Sequence, residues 1–382
     1  MVSLYASTGA NLTHYHLDVD AGTLTKQATI ALPQDIQYAW PHVSKKYLYV
    51  TSSNTVPKGP LGTEHHLTAL KIDPASGALS PHGEAIRLPT RPVHVATDIP
   101  STHALVAFTV PSALRVYSIK PDGTLGAEVA QSGTDAGIFA HQVRVTLDNR
   151  LAVLVTRGND AADGKPEDPG ALKVFKYRDG KLSDCVSIAP NKGYGFGARH
   201  LDFHPGKPWV YVSIERQNKM MMFKRDGDAI SAEPVFTKEL LAEPGNVRSK
   251  QMGGTVHVHP RGHVVYGINR AYTPVEINGR KVVPGGENNI VVYRIDQSTG
   301  EPTAMQHMDT RGVYCRTFHI DPSGRLLVAA NIISLDVQDG ATVKTVPASL
   351  ALFRIAEDGR LEYLRKYDVD VGAKTMFWMG MV

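Results

Sequence analysis

Short runs in which every second residue is apolar, or in which four to six residues are all apolar, are separated along the chain by turns rich in Asp, Gly, Pro and Ser. That period predicts strands rather than helices. One phrase recurs: a strand, a turn carrying Asp, His, Pro or Gly, and a returning strand. It reads YAWPHVSKKYLYVTSSN, VHVATDIPSTHALVAFT, HQVRVTLDNRLAVLVTR, RHLDFHPGKPWVYVSIE, VHVHPRGHVVYGINR and RTFHIDPSGRLLVAAN, six copies. Each is followed by a second alternating pair, such as LRVYSIKPDGTLGAEVA or LALFRIAEDGRLEYLRK, in which Asp-Gly or Ser-Gly supplies the reversal. The unit is a four-stranded meander. The N-terminal strands around HYHLDVDAGTLTKQATI and the C-terminal KTMFWMGMV together complete a seventh unit. The expectation is an all-β chain, a seven-bladed β-propeller of four-stranded antiparallel blades, with residues 1–382 as one propeller domain closed by pairing of its terminal strands. Closure removes the open sheet edges that a linear array would expose.

Antiparallel first and second strands bring the start of one and the end of the other to the same face of the propeller. Counting from equivalent turn residues Thr146, His204 and Asp321, the residue five earlier is His141, Arg199 and Arg316. Eleven residues after Thr146, His204 and His259 stand Arg157, Glu215 and Arg270. Two slots on one face therefore hold four arginines, one glutamate and one histidine at the mouth of the central channel. A single charged residue at a strand end is ordinary surface; the same slots filled in several blades are not. An arginine-rich cup around one carboxylate suits an anionic small molecule, because guanidinium forks match carboxylate and phosphate oxygens. His141 and Glu215 are the groups able to exchange protons there.

Charge and composition exclude other classes. The formal net charge is +4 over 382 residues, with no basic run, so neither nucleic acid nor an anionic membrane surface is implied as a partner. No apolar run reaches the ~18 residues of a membrane span, and the first residues lack the basic-then-apolar pattern of a secretory signal, so a cytoplasmic location is expected. Cys185 and Cys315 match no metal or redox spacing, and neither His257 with His259 nor the His65–His66 pair, read as a loop, brings a third ligand, so no metal is expected. GFGAR is followed by no strand-to-helix switch and no G-x-S-x-G elbow occurs, so neither a cofactor nor an acyl-serine mechanism is expected.

The phrases GARHLDFHP, AHQVRVTLDN, IERQ, INRA and TMFWMGMV make the chain resemble the seven-bladed lactonase family that contains cyclo-type 6-phosphogluconolactonases and 3-carboxymuconate lactonising cyclases. The most specific part is G-x-R-H-x-x-F-H-P with Glu sixteen residues after the Arg. The resemblance implies a lactonase acting without a metal, with His141, Arg199, Glu215 and Arg270 as the catalytic set. It also implies Arg316 as a further basic position, and His94 and Gln37 as polar positions at the mouth. Arg157 departs from the family pattern, and its place among the substrate-binding residues rests on its slot alone.

Four blades carry long segments between second and third strands: SNTVPKGPLGTEHH, GNDAADGKPEDPG, AYTPVEINGRKVVPGGEN and IISLDVQDGATVKTVP. They leave from the face that carries the charged slots, so they are expected to wall the pocket, to meet a second copy of the chain, or to extend into solvent. The leading expectation is hydrolysis of the ring ester of an anionic sugar lactone. A cycloisomerase acting on a dicarboxylate, and a non-enzymatic binding platform, are the alternatives.

Overall fold

The structure is a computed structural model that describes residues 2–55, 59–162, 164–246, 250–277 and 279–382. Residues 56–58, 163 and 278, which fall in three of the four long segments, lie outside the described residues.

Seven antiparallel sheets of at least four strands form in chain order. Blade 1 runs Asp35–Pro41, Tyr47–Ser53, His65–Ile72 and Leu79–Pro81. His65 thus opens a strand and does not sit in a loop as read from the sequence; its Nδ1 meets the Ser53 hydroxyl at 2.8 Å. Blade 2 begins at Pro92–Thr97, blade 3 at Ala140–Val145, blade 4 at Ala198–Phe203, blade 5 at Gln251–Val258 and blade 6 at Cys315–Ile320. These first strands pack side by side as an inner ring.

Blade 7 is shared by the two ends of the chain. Met379–Met381 pairs with Val2–Thr8 in the register Leu4 to Met381, Tyr5 to Gly380 and Ala6 to Met379. The Ser7 amide adds a bond to the Trp378 carbonyl at 2.8 Å. The expected closure is therefore the observed one.

Apolar side chains from facing blades fill the space between sheets. Val153 and Val155 of blade 3, for example, pack with Val210, Val212 and Phe223 of blade 4, all of them buried. A repeated tyrosine then locks neighbours together. The hydroxyls of Tyr5, Tyr49, Tyr211 and Tyr266, each on a second strand, donate to the carbonyls of Gly77, Gly123, Gly300 and Gly359 in the next blade's outer hairpin. Those glycines lie at φ of 72° to 93°, a left-handed conformation that the tight outer turn requires and that other residues adopt only under strain.

Two of the long segments fold as extra hairpins, Val275–Ile277 with Arg280–Val282 after blade 5's second strand, and Leu335–Asp339 with Thr342–Val346 after that of blade 6. They join through a parallel bridge at Val283 and Val337 and through Arg280 Nη2 to Asp336 Oδ2 at 2.7 Å. No helix among the described residues is long and apolar enough to cross a membrane.

Candidate active site

The predicted slots coincide with a break in the strand pairing. In the inner strands the register slips by one residue around Gln37, His141, Arg199 and Arg316, so each of these is the extra residue of a β-bulge. A bulge turns its extra side chain out of the ladder, and repeating it blade after blade aims those side chains at the channel mouth. In blade 2 the bulged residue is Val93, and His94 stands one place further down the channel. In blade 5 the slip spans Gly254.

The second slot faces a third that the sequence analysis did not count, seven residues before the turn. The Arg157 amide donates to Phe139 O at 2.9 Å and the Glu215 amide to Gly197 O at 2.7 Å, while Met252 lies opposite Arg270. Arg91 and Tyr314 occupy the same third slot in blades 2 and 6.

At the centre of blades 3 to 5, three arginines converge on one carboxylate. Arg270 Nη2 reaches Glu215 Oε1 at 2.5 Å, Arg199 Nε lies 3.1 Å from the same oxygen, and Arg157 Nε donates to Oε2. Arg199 is 1% exposed, Arg270 3% and Glu215 7%, so all three are charges held away from solvent. Burial alone pushes the Glu215 carboxyl up, but Arg270, Arg199 and Arg157 together outweigh it and hold it at about 2. Burial, aided by the neighbouring charge of Arg270, pulls Arg199 down to about 9. Arg157, unexpected from the family pattern, is a full member of the cluster and also binds Asp160 Oδ2 at 2.8 Å. Asp160 belongs to a long segment of blade 3, which this ion pair ties to the cluster.

Glycine makes room for this arrangement. A Cβ on Gly254 would stand 3.0 Å from Arg270 Nη1 and 2.5 Å from Ile268 Cγ1. In blade 5 the bulge slot is thus empty because Arg270 reaches across it.

Three histidines descend the channel beside the cluster. His141 and His200 have ring centroids 5.3 Å apart, and His200 and His94 are 6.4 Å apart. Burial first, then the surrounding arginines, push all three well below the usual imidazole range, so they are neutral. His141 Nδ1, both ring nitrogens of His94, and Arg270 Nε and Nη1 are buried without a hydrogen-bond partner. Unpaired buried donors and acceptors are costly unless a ligand or water meets them.

Aromatic rings line the rim against the guanidinium groups. Phe139 lies 5.2 Å from the Arg157 guanidinium carbon, Tyr314 5.6 Å from that of Arg270 and Phe377 3.7 Å from that of Arg316. Phe139 and Tyr314 hold left-handed backbone, at φ of 59° and 64°, a strained state for bulky residues. Tyr314 stacks on Tyr272, from the blade 5 segment, with centroids 3.6 Å apart. A residue-pattern signal for these rings existed, since Phe139 and Tyr314 share the third slot, but alternation of polar and apolar positions gives no sign of a left-handed residue. Gln37 accepts from Arg91 Nε at 2.8 Å. The structure thus brings together His141, Arg199, Glu215, Arg270, Arg157, Arg316 and Gln37, with His94 buried beneath them.

Comparison with known proteins matches the family described as Lactonase, 7-bladed beta-propeller over residues 1–346. The 6-phosphogluconolactonase of Bacillus subtilis (strain 168) is 26% identical over 275 residues, 69% of this chain and 70% of that protein. That of Cronobacter sakazakii is 24% identical over 310 residues, 81% of each chain. Among solved structures, the periplasmic gluconolactonase PpgL of Pseudomonas aeruginosa superposes with a TM-score of 0.76 over 100% of this chain and 99% of its own, at 19% identity.

Proposed function

The chain belongs to the seven-bladed β-propeller lactonase family, and from that premise we propose that it hydrolyses the ring ester of an anionic sugar lactone at the bulge-lined mouth. The 6-phosphogluconolactonases among its relatives make a 6-phosphorylated gluconolactone the first substrate to test. The observation that carries the reading is the division of labour between Glu215 and His141. Glu215 is fixed by three arginines and its carboxyl is held at about 2, so it is a poor base. His141 is neutral and offers an unpartnered Nδ1.

In this reading His141 Nδ1 accepts a proton from water as the oxygen attacks the lactone carbonyl carbon. The carbonyl π pair moves onto oxygen, where the free Arg270 Nη1 donor and the Arg199 guanidinium meet the developing charge. Collapse of the tetrahedral intermediate breaks the bond to the ring oxygen, which takes the proton back from His141. The product is the open-chain hydroxy acid. Glu215 holds Arg199 and Arg270 in place through the cycle.

A pH-stat assay of phosphorylated and unphosphorylated gluconolactones tests the reading, run beside an ultraviolet assay on muconates. Acid release from the sugar lactone, lost in His141→Gln, supports it. Turnover of a muconate without sugar-lactone hydrolysis overturns it.

A further inference from the structure

The five arginines at the mouth fall into two groups, one paired with carboxylates and one not. On the side of blades 3 to 5, Arg157, Arg199 and Arg270 share Glu215, with Asp160 joining Arg157. Across the mouth, Arg91 at the start of blade 2 and Arg316 of blade 6 have no carboxylate partner among the described residues. Arg91 donates from Nε to the neutral Gln37 side chain at 2.8 Å, and Arg316 donates from Nη1 to the Phe377 carbonyl at 2.8 Å. Both guanidinium groups pack on one ring: the Phe377 centroid lies 3.7 Å from Arg316 Cζ and 5.7 Å from Arg91 Cζ. Arg91 Nη2 is buried and unpartnered. Two like charges held against one phenyl ring repel each other, and burial together with Arg316 pulls Arg91 down to about 10.

Resting on the lactonase reading, we infer that Arg91, Arg316 and Gln37 form a separate subsite for the substrate's anionic tail, and that Arg91 determines specificity for a phosphomonoester dianion. Two uncompensated cations match a dianion; a single carboxylate leaves one of them unpaired. A planar guanidinium fork pairs with two phosphate oxygens at once. Gln37 holds Arg91 through Nε, and Phe377 packs against both guanidinium groups. The tail thus sits toward blades 6, 7, 1 and 2, which leaves the ring ester against His141 and Arg270 on the opposite side.

The test pairs kinetics with direct binding, using inorganic phosphate as the probe. In Arg91→Gln, KM for the phosphorylated lactone and the inhibition constant of inorganic phosphate are expected to rise about 30-fold or more. Its kcat, and its kcat/KM on unphosphorylated gluconolactone, are expected to stay within about twofold. Arg91→Lys, which keeps the charge but not the fork, is expected to fall between the two and serves if the glutamine variant does not fold. An equal loss on both lactones, or inhibition by phosphate unchanged from wild type, overturns the subsite. Gluconate inhibiting as strongly as phosphate overturns the dianion assignment. Should the wild type hydrolyse no lactone, the functional reading fails, while calorimetric titration of phosphate into wild type and Arg91→Gln still decides the subsite.

Discussion

Arg270 of blade 5 donates from Nη2 to Glu215 Oε1 of blade 4 across 2.5 Å, and it does so over the empty slot left by Gly254. The contact ties two blades together at the point where the inner strands break register. It also fixes which of Arg270's nitrogens remain free: Nε and Nη1 have no partner.

Removing the carboxylate tests how far that tie supports the fold. Glu215→Gln leaves Arg199 and Arg270 without a counter-charge, with Asp160 still held by Arg157. A buried ion cluster that loses one partner costs about 3–5 kcal/mol. Urea denaturation is expected to register that loss, and lactone hydrolysis is expected to fall in step. A variant that keeps wild-type stability contradicts the charge balance described for the cluster.

His141→Gln separates chemistry from support. The His141 ring touches His200 but carries no ion pair, so stability is expected to change by less than about 1 kcal/mol. Its kcat is expected to drop about 10²- to 10⁴-fold, the range for a general base. In the wild type the acid limb of kcat/KM, which reports the free enzyme, is expected below pH 6.5, because burial and the arginines hold His141 neutral there. An acid limb above pH 6.5 rules out His141 as the base.

Gly254→Ala is a test of space. The added Cβ meets Ile268 at 2.5 Å and Arg270 Nη1 at 3.0 Å, so either the strand or the guanidinium must move. The cost in stability is expected at about 1–3 kcal/mol. Activity is expected to fall with it, and Gly254→Ala with full activity removes the claim that the glycine serves Arg270.

Acid sensitivity follows from His94. It is 0% exposed, has no partner for either ring nitrogen, and is held well below the ordinary imidazole range by burial and by Arg144, Arg316 and Arg199. The unfolded chain binds a proton on this residue near pH 6.5 and the folded chain does not until much lower. The contribution is therefore complete above about pH 6.5 and is lost as pH falls below it, at up to ~1.4 kcal/mol per pH unit for one histidine. His94→Gln removes that proton from the balance. Between pH 7 and pH 5 its denaturation midpoints are expected to fall less steeply than those of the wild type; equal slopes refute the assignment.

The periodicity of six hairpins, with matching tails at the two ends, determined by itself that the chain closes seven sheets of at least four strands into a ring. Strand alternation is a local property, and turn chemistry punctuates it, so both survive in the linear sequence. Equivalent slots were legible for the same reason: His141, Arg199 and Arg316 share one offset from the turn, Arg157, Glu215 and Arg270 another. Only the tertiary structure decided what those slots do. It gave His141, Arg199 and Arg316 their direction through bulges, which depend on pairing with a second strand. It split the arginines into a group that shares Glu215 and a pair that shares Phe377, since charge balance depends on distances across the ring and not on sequence spacing. No repeated charge points to Arg91, because its slot holds Phe139, Gly197, Met252 and Tyr314 in blades 3 to 6. Its place beside Arg316 appears only where the chain, just before its last strand, brings Phe377 against both guanidinium groups.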